Sequence, residues 1–217
     1  MKKNFVIILF ISAFTFAVTS CKDKAKEATT TAAEAVEEVV NAEAYTVNKD
    51  ASTIAWKGFK PTGTHTGTIA IENGVLDVSN GNIVGGTFLI DMNSIVVTDI
   101  PAEDEKNAKL TGHLKSPDFF DAEKYPSAGF TITGLEEVEG KMMLSGNLSL
   151  KDAKNNVTFP VSVTNENGVV TLTSETFTID RSKWNVQYGS KSFFDNLGDK
   201  FINDDIELKV SVSAAKS

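Results

Sequence analysis

The segment "TIAIENGVLDVSNGNIVGGTFLIDM", Thr68–Met92, decides the fold of this chain. Apolar residues alternate with polar or small residues near both of its ends, as in a β-strand with one buried face. Asn73-Gly74 predicts a type I′ hairpin turn, because both central residues of that turn need positive φ. "SNGN", Ser79–Asn82, predicts a second turn. The segment therefore predicts three consecutive antiparallel strands.

The same period of two extends outward from this segment, from Tyr45 to the end of the chain. One strand changes phase, which predicts a β-bulge near Ser174–Thr176, and Pro160 predicts an edge position or a bulge in another strand. Strands that are apolar on one face can close on themselves and leave no exposed edge. We therefore predict an all-β protein, an antiparallel barrel of about eight strands with short helical connectors. A two-sheet sandwich is the alternative.

The first residues follow the order of a lipoprotein signal: Lys2 and Lys3, an apolar run, small residues, and then the only cysteine, Cys21. The apolar run is shorter than the roughly 20 residues that a membrane-spanning helix needs. We predict that residues 1–20 are a lipoprotein signal peptide and that Cys21 carries the lipid, including palmitate. The alternative is an ordinary secretory signal with an incidental cysteine.

Residues 21–44 hold no aromatic residue and consist mainly of Ala, Thr, Glu and Lys. This composition cannot bury a core, so it predicts a flexible tether behind the lipidated cysteine. Residues 45–217 have a length suited to one folded domain, the barrel. The predicted location is the cell envelope, with the protein attached to a membrane, the periplasmic or surface face of the outer membrane.

Charge and motif content argue against several classes of function. The formal net charge is −8 at pH 7, which argues against binding to nucleic acid and against electrostatic adhesion to anionic lipid. The lipid on Cys21 must then provide the attachment to the membrane. No nucleotide-binding fingerprint occurs, and "GNIVGG" at 81–86 lies between strands without a following helix. We expect no cofactor.

His65 and His113 are the only histidines. A zinc site needs three or four His, Cys or carboxylate ligands, and a hydrolase needs an activated nucleophile. The two histidines are far apart in the chain, the folded part has no cysteine, and no G-x-S-x-G motif occurs. We therefore expect no metal site and no catalytic residue, and each histidine is expected to bond loop backbone near a barrel end. A hydrolase of envelope lipids that uses a histidine and a carboxylate is the alternative from another class. A structural barrel with a filled core is the third.

Two connectors resemble each other, "KSPDFFD" at 115–121 and "KSFFDNL" at 191–197. Each contains two adjacent phenylalanines, Phe119-Phe120 in the first and Phe193-Phe194 in the second. Burial of one phenylalanine stabilises a protein by about 1.5–3 kcal/mol. We expect both pairs to plug the ends of the barrel or to form a lid over an apolar ligand.

Arg181 continues the inward parity of its strand, so a simple strand directs its side chain toward the barrel interior. An unpaired buried charge is unfavourable, so the guanidinium needs a partner. The candidates are a carboxylate, from Asp118, Asp121 or Asp180, and the anionic head of a ligand. The alternative is a second β-bulge that turns the Arg181 side chain outward.

Five segments occur in one order: "GTHTGTI" at 63–69, "GGTFLIDMNSI" at 85–95, "HLKSPDFFDAEKYPSAGF" at 113–130, "LSGNLSLKD" at 144–152 and "FTIDRSKWNVQYG" at 177–189. Together they resemble the YceI-like proteins, a lipocalin-like family of secreted bacterial proteins. The resemblance covers Tyr45 to Ala215. It implies a lipocalin-like barrel that encloses an apolar cavity and binds a polyisoprenoid or a similar, quinone-like amphiphile. It implies no common set of catalytic residues.

We therefore predict a membrane-tethered envelope lipoprotein that binds a long apolar amphiphile inside its barrel, for transport, storage or sensing. A homodimer is compatible with this prediction. The predicted cavity residues are Trp56, Ile71, Phe88, Ile90, Phe130, Ile132, Leu148, Phe159, Phe177, Ile179, Leu208 and Val210. The predicted mouth, where a head group would bind, consists of His113, Phe119, Phe120, Arg181, Trp184, Tyr188, Phe193 and Phe194.

Overall fold

Strands make up most of the chain over the residues that the computed structural model describes, 25–36, 39 and 41–216. The strands are β1 (Lys26–Glu27), β2 (Thr29–Ala32), β3 (Glu43–Val47), β4 (Thr53–Lys60), β5 (Gly63–Ile69), β6 (Ile71–Ser79), β7 (Asn82–Asp91), β8 (Val96–Val97), β9 (Ser127–Val138), β10 (Lys141–Leu150), β11 (Ala153–Glu166), β12 (Val169–Ser174), β13 (Phe177–Asp180) and β14 (Asp205–Lys216). The helix is α1 (Glu105–Lys115). The predicted signal peptide, residues 1–20, and Cys21 lie outside the described residues.

A closed barrel forms from the strands in the order β12–β11–β10–β9–β7–β6–β3–β14, with β14 pairing again with β12. Every pair around this ring is antiparallel. Short helical segments connect the strands, namely α1 and 3-10 turns such as Arg181–Trp184. The predicted antiparallel barrel is confirmed, and the sandwich alternative is wrong.

The long strand β14 closes the barrel between β3 and β12, and it pairs with four strands in all. β12 and β13 follow one another along one of its edges, and β3 and β4 along the other. Glu175 and Thr176 separate β12 from β13, where the sequence predicts a bulge. The Val210 N–H donates to the Ser174 hydroxyl at 2.8 Å beside this break. The change of phase is therefore a break between two strands.

The predicted hairpin turn at Asn73-Gly74 is wrong, because β6 continues through both residues without a turn. A register shift between Ile71 and Asn73 bends the strand there instead. Gly74 pairs with Phe88, and a Cβ on Gly74 would lie 2.7 Å from the Phe88 ring. The glycine thus permits close packing of an aromatic ring rather than a turn.

The second predicted turn is present. Asn80 and Gly81 have φ values of 52° and 82°, the positive values that a type I′ turn requires, and Ser79 pairs with Asn82 across the hairpin.

Residues 26–32, which we name the strap, form part of the barrel wall. β1 pairs in parallel with β13, and β2 pairs antiparallel with β11. Ala28, between them, is buried, and its N–H donates to the Thr178 carbonyl at 2.8 Å. The prediction of a flexible tether is therefore wrong for the strap. Unpaired strand edges on β11 and β13 offer backbone partners, and these partners order a segment whose composition alone favours a coil.

Helix α1 begins after Asp104, whose carboxylate accepts from the Lys106 N–H at 2.8 Å as an N-cap. Leu114 is its buried residue, and the chain continues from the helix into the Phe119-Phe120 connector. No helix among the described residues has both the length and the apolar character to cross a membrane.

Candidate ligand-binding cavity

The barrel contains a cavity of about 400 Å³ whose lining is mostly aliphatic and aromatic. This volume falls in the range of small-molecule sites, which is about 300–1,000 Å³. Strand alternation points one face of each strand at this space. The predicted inward residues that line it are Trp56, Ile71, Phe88, Ile90, Phe130, Leu148, Phe159, Phe177, Ile179, Leu208 and Val210.

Ile132 is the predicted cavity residue that does not line this space, although it is buried. Its Cδ1 lies 3.2 Å from the position that a Cβ on Gly86 would take, and Leu76 lies equally close to that position. Ile132 therefore packs into the filled part of the barrel. Alternation predicts which face a residue is on, but not how far along the barrel axis the cavity extends.

Sequence reasoning missed several lining residues. Some belong to strands whose alternation contains the signal, and these are Ile54, Ile69, Leu144, Leu150, Val157, Leu172, Ile206 and Val212. Phe59, near the end of β4, is missed because its parity is opposite to that of Trp56. Others come from connectors and from α1, where no period of two exists, and these are Met92, Ile95, Leu110, Leu114 and Ile202. The second group requires knowledge of which connector covers which end of the barrel.

An aromatic cluster closes one side of the cavity mouth. Phe119 is 5% exposed, and its ring centroid lies 5.0 Å from that of Phe120 in an edge-to-face contact. His113, from α1, contacts Phe119 at 5.9 Å and Tyr188 at 4.6 Å between centroids. Each of these four residues lines the cavity. The first connector thus plugs the barrel end, and His113 packs within that plug.

The second connector has a different environment. Phe193 and Phe194 are each 49% exposed, and neither lines the cavity. Their backbone N–H groups donate to the Ser190 carbonyl, and the Ser190 and Ser192 hydroxyls donate to Asp204. These bonds order the loop without covering the rings. The expectation that this pair also plugs or covers a barrel end does not hold.

Arg181 is fully buried and bonds to the protein itself. Its guanidinium donates to the carbonyl groups of Asn203, Val186, Tyr188 and Ile202. Burial lowers the pKa of Arg181, and the nearby carboxylates of Asp204 and Asp180 act in the opposite direction.

The ion-pair partner of Arg181 is Asp204, whose Oδ1 lies 3.3 Å from Nη2. Asp118, Asp121 and Asp180 were the candidates predicted from sequence, and none of them forms this ion pair. The guanidinium also lies 5.2 Å from the centroid of the Phe119 ring. Arg181 thus borders the cavity while its polar groups are bonded to the loops around residues 186–188 and 202–204.

Trp184 lies in the core and not at the mouth. Its side chain is fully buried, and its indole N–H donates to the Leu148 carbonyl at 2.9 Å. Tyr188, by contrast, lines the mouth and is about half exposed. A single 3-10 turn, Arg181–Trp184, produces this difference because it ends the alternation that the sequence pattern extrapolates.

His65 forms a pair with Asp99 at the mouth, with 2.9 Å between Nδ1 and Oδ2. Burial by itself raises the pKa of Asp99, but hydrogen bonds from the Thr66 N–H and from His65 outweigh it, so the pKa is lowered. The expected bond from His65 to loop backbone is thus a bond to a carboxylate. Over residues 25–36, 39 and 41–216, no group of three or more potential ligands could hold a metal ion.

The other polar side chains that line the mouth are Lys60, Lys200 and Asn203. Lys60 is at the end of β4, and Lys200 and Asn203 are in the loop before β14. The Asn203 N–H donates to the Phe59 carbonyl at 2.9 Å, and this bond joins the loop to β4. The cavity is therefore apolar inside and polar at its opening. This arrangement suits a ligand with a long apolar tail and a polar head.

Comparison with known sequences gives a match over most of the chain. The family model described as YceI-like domain matches residues 45–214. A UPF0312 protein of Vibrio vulnificus strain YJ016 is 34% identical over 92 residues, which cover 39% of this chain and 47% of that protein. A UPF0312 protein of Photorhabdus laumondii is 39% identical over 82 residues, which cover 35% of this chain and 41% of that protein. The chain thus spans less than half of the length of these curated relatives.

Two solved structures share the fold. BcnA of Burkholderia cenocepacia aligns with a TM-score of 0.60 at 19% identity, over 78% of this chain and 99% of that one. A polyisoprenoid binding domain from Saccharophagus degradans, implicated in plant cell wall breakdown, aligns with a TM-score of 0.58 at 16% identity. That alignment covers 81% of this chain and 99% of the other. At these identities the likeness shows a common fold.

Proposed function

The chain belongs to the YceI-like family, and from this premise we propose that its barrel binds a long apolar amphiphile, a polyisoprenoid or a quinone-like molecule. The observation that carries the proposal is the apolar cavity of about 400 Å³ with a polar mouth. Each buried methylene of a tail contributes about 0.8 kcal/mol, so tail burial supplies the affinity. The description of the Saccharophagus degradans domain as polyisoprenoid-binding supports the ligand class.

The head of such a ligand would lie at the mouth. His65, Lys60 and Lys200 line it, and the hydroxyl of Tyr188 and the amide of Asn203 add neutral donors. Arg181 is less suited to a head group, because its donors already bond to protein carbonyl groups. The proposed head-group residues are therefore those of the mouth rather than Arg181.

Attachment to an envelope membrane through a lipid on Cys21 is the second part of the proposal. It is supported by the order of basic, apolar and small residues before the only cysteine. A membrane-attached barrel with an apolar cavity can hold or transfer an amphiphile that is nearly insoluble in water. Mass spectrometry of the N-terminal peptide tests the lipid, and Cys21→Ser should release the protein from the membrane fraction.

A hydrolase of envelope lipids is the second candidate, and the His65–Asp99 pair at the mouth is the observation that favours it. Among the described residues, however, no serine or threonine hydroxyl bonds to the other ring nitrogen of His65. An activated nucleophile normally bonds to its general base. Binding is therefore the better-supported function. Replacement of His65 and His113 together should abolish the activity of such a hydrolase, whereas an amphiphile should still be recovered with the variant, since tail burial supplies most of the affinity.

Organic extraction of the purified protein, followed by mass spectrometry, tests the binding function. Gly58 lines the cavity and has open space where a Cβ would stand, so Gly58→Phe should occupy the cavity without a backbone clash. Gly134 also has open space but does not line the cavity, so Gly134→Phe is the matched control. We expect an apolar amphiphile from the wild type and the control, and much less from Gly58→Phe. A clean extract from all three proteins would contradict the proposal.

A further inference from the structure

The strap occupies a gap in the barrel wall. β11 pairs with β12 only from Val161 onward, and the Pro160 carbonyl accepts the last direct bond, from the Glu175 N–H at 3.0 Å. Beyond that point β11 and β13 have no bond to each other, and the strap pairs with both of them. Pro160 therefore marks a local edge of β11, one of the two positions that its sequence predicts.

The gap has the width of one strand. Neighbouring strands lie about 4.8 Å apart, so the edges of β11 and β13 that flank the strap are separated by about 10 Å. The far end of the gap is closed by the Asn155 side chain, which donates to the Lys183 carbonyl at 2.9 Å. The strap thus fills a bounded slot in the wall rather than an open side.

The cavity lies directly behind this slot. Phe159 on β11 and Phe177 on β13 both line the cavity, and their rings are stacked with 4.1 Å between centroids and 6° between planes. The strap residues themselves do not line the cavity. Two layers therefore separate the cavity from the outside at this place, the strap and one aromatic stack.

The strap makes few contacts that oppose its release. Its sequence, KEATTTA, offers no apolar side chain larger than alanine, and within it only Ala28 is buried. The ion pair between Glu27 and Lys183, at 3.5 Å, is exposed and therefore weak. Short, exposed pairings of this kind belong to the parts of a protein that open most readily.

A fixed point lies immediately after the strap. The buried amide of Asn147 accepts from the Glu34 N–H at 2.9 Å and donates to the Glu34 carbonyl at 2.8 Å. These two bonds hold the chain at Glu34. The strap can therefore separate from β11 and β13 while the contacts of Glu34 with Asn147 remain.

We propose that the strap closes a lateral port, and that its release admits the tail of an amphiphile between β11 and β13 into the cavity. This inference rests on the proposed binding function. The strap precedes residues 45–214, which match the family model, so it lies outside the matched domain. Cys21 precedes Lys26 by five residues, which span at most about 18 Å. A lipid on Cys21 would hold the membrane within reach of the port.

A disulfide lock tests the port. Thr29 pairs with Thr158 across the strap and β11, so Thr29→Cys with Thr158→Cys allows the strap to be fixed by oxidation. Thr173→Cys with Ser211→Cys is the matched control, because this pair joins β12 to β14, which need not separate. Both carry Cys21→Ser. The measurement is the rate of uptake of retinol, a fluorescent isoprenoid alcohol, from phosphatidylcholine vesicles, by energy transfer from tryptophan.

We expect oxidation to slow uptake by the strap-locked protein about tenfold or more, because the lock removes the open state, and reduction to restore it. Oxidation of the control should leave the rate unchanged. Equal rates for the oxidised and reduced strap-locked protein would overturn the port while leaving the binding function intact. Absence of retinol uptake by the wild type at any concentration would overturn the binding function as well.

A second variant should raise the rate of retinol uptake, the opposite of the effect of the lock, and it does not depend on a disulfide. Ala28→Asp places a charge at a buried position of the strap, so it should favour the released state and accelerate uptake. Hydrogen exchange of the wild type gives an independent readout. We expect the amide of Ala28 to exchange well before the paired amides of β14. Equal protection of the strap and β14 would overturn the port.

Discussion

The connectors at 115–121 and 191–197 each place two phenylalanines before an aspartate, and they lie in different environments. Phe119 and Phe120 are buried beside α1, whereas Phe193 and Phe194 are half exposed in a loop ordered by Ser190 and Asp204. The first connector follows a helix whose residues His113 and Leu114 line the same cavity. The comparison shows that an aromatic pair becomes a plug only where another element packs against it.

The largest expected effect comes from Arg181, which borders both regions through the Phe119 ring and the carbonyl groups of Tyr188 and Ile202. Arg181→Ala should lower the free energy of unfolding by about 3–5 kcal/mol, because it removes the ion-pair partner of Asp204 and leaves four carbonyl groups without their guanidinium donor. Urea denaturation measures this loss. A loss below about 1 kcal/mol would show that the two regions are ordered independently.

Removal of one plug ring should have the next largest effect. Phe119→Ala should lower the free energy of unfolding by about 3 kcal/mol, at the low end for a buried phenylalanine because neighbours can relax into the cavity. The same denaturation experiment measures it. If Phe193→Ala lowers the free energy of unfolding as much as Phe119→Ala does, the conclusion that only the first connector forms a plug is wrong.

Lys151 provides a smaller contribution that only the first connector has. Its ammonium donates to the Phe119 carbonyl at 3.2 Å and to the Asn185 carbonyl at 3.3 Å. Lys151→Ala should therefore lower the free energy of unfolding by about 1 kcal/mol. Lys191, which lies over the Phe201 ring beside the second connector, is the control for loss of a surface lysine. In thermal denaturation, Lys151→Ala should lower the melting temperature more than Lys191→Ala does.

The smallest expected effect belongs to the exposed pair. Phe193→Ser with Phe194→Ser should change the free energy of unfolding by no more than about 0.5 kcal/mol, because neither ring is buried. The amount of extractable amphiphile should also equal that of the wild type, since neither residue lines the cavity. A loss of ligand in this variant would show that the second connector takes part in binding after all.

Much of the barrel could be predicted because alternation is a property of each strand by itself. Trp56, Phe88 and Leu208 lie on the inner face that a period of two assigns to them. The prediction is wrong where a residue type can serve either of two structural roles. The sequence predicts Gly74 as a turn residue, but its lack of a side chain permits close packing of Phe88. The sequence shows that a glycine is present and not which of these two constraints applies.

Prediction of the site was less complete because its remaining parts depend on long-range contacts. The partner of Arg181 is Asp204, and the strap is ordered by strands more than a hundred residues away in the chain. No local pattern at 26–32 distinguishes a wall strand from a coil. Its order comes from edges that exist only after β11 and β13 have formed.

The sequence by itself determined the antiparallel barrel, its apolar inner face and its membership of the YceI-like family, since these follow from alternation and from motifs that are read residue by residue. Tertiary structure alone decided the depth of the cavity, the exposure of Phe193 and Phe194, the bonding of Arg181 and the ordering of the strap. The physical reason is that burial and hydrogen-bond partners are properties of pairs of segments, and pairing over long separations is decided when the barrel closes.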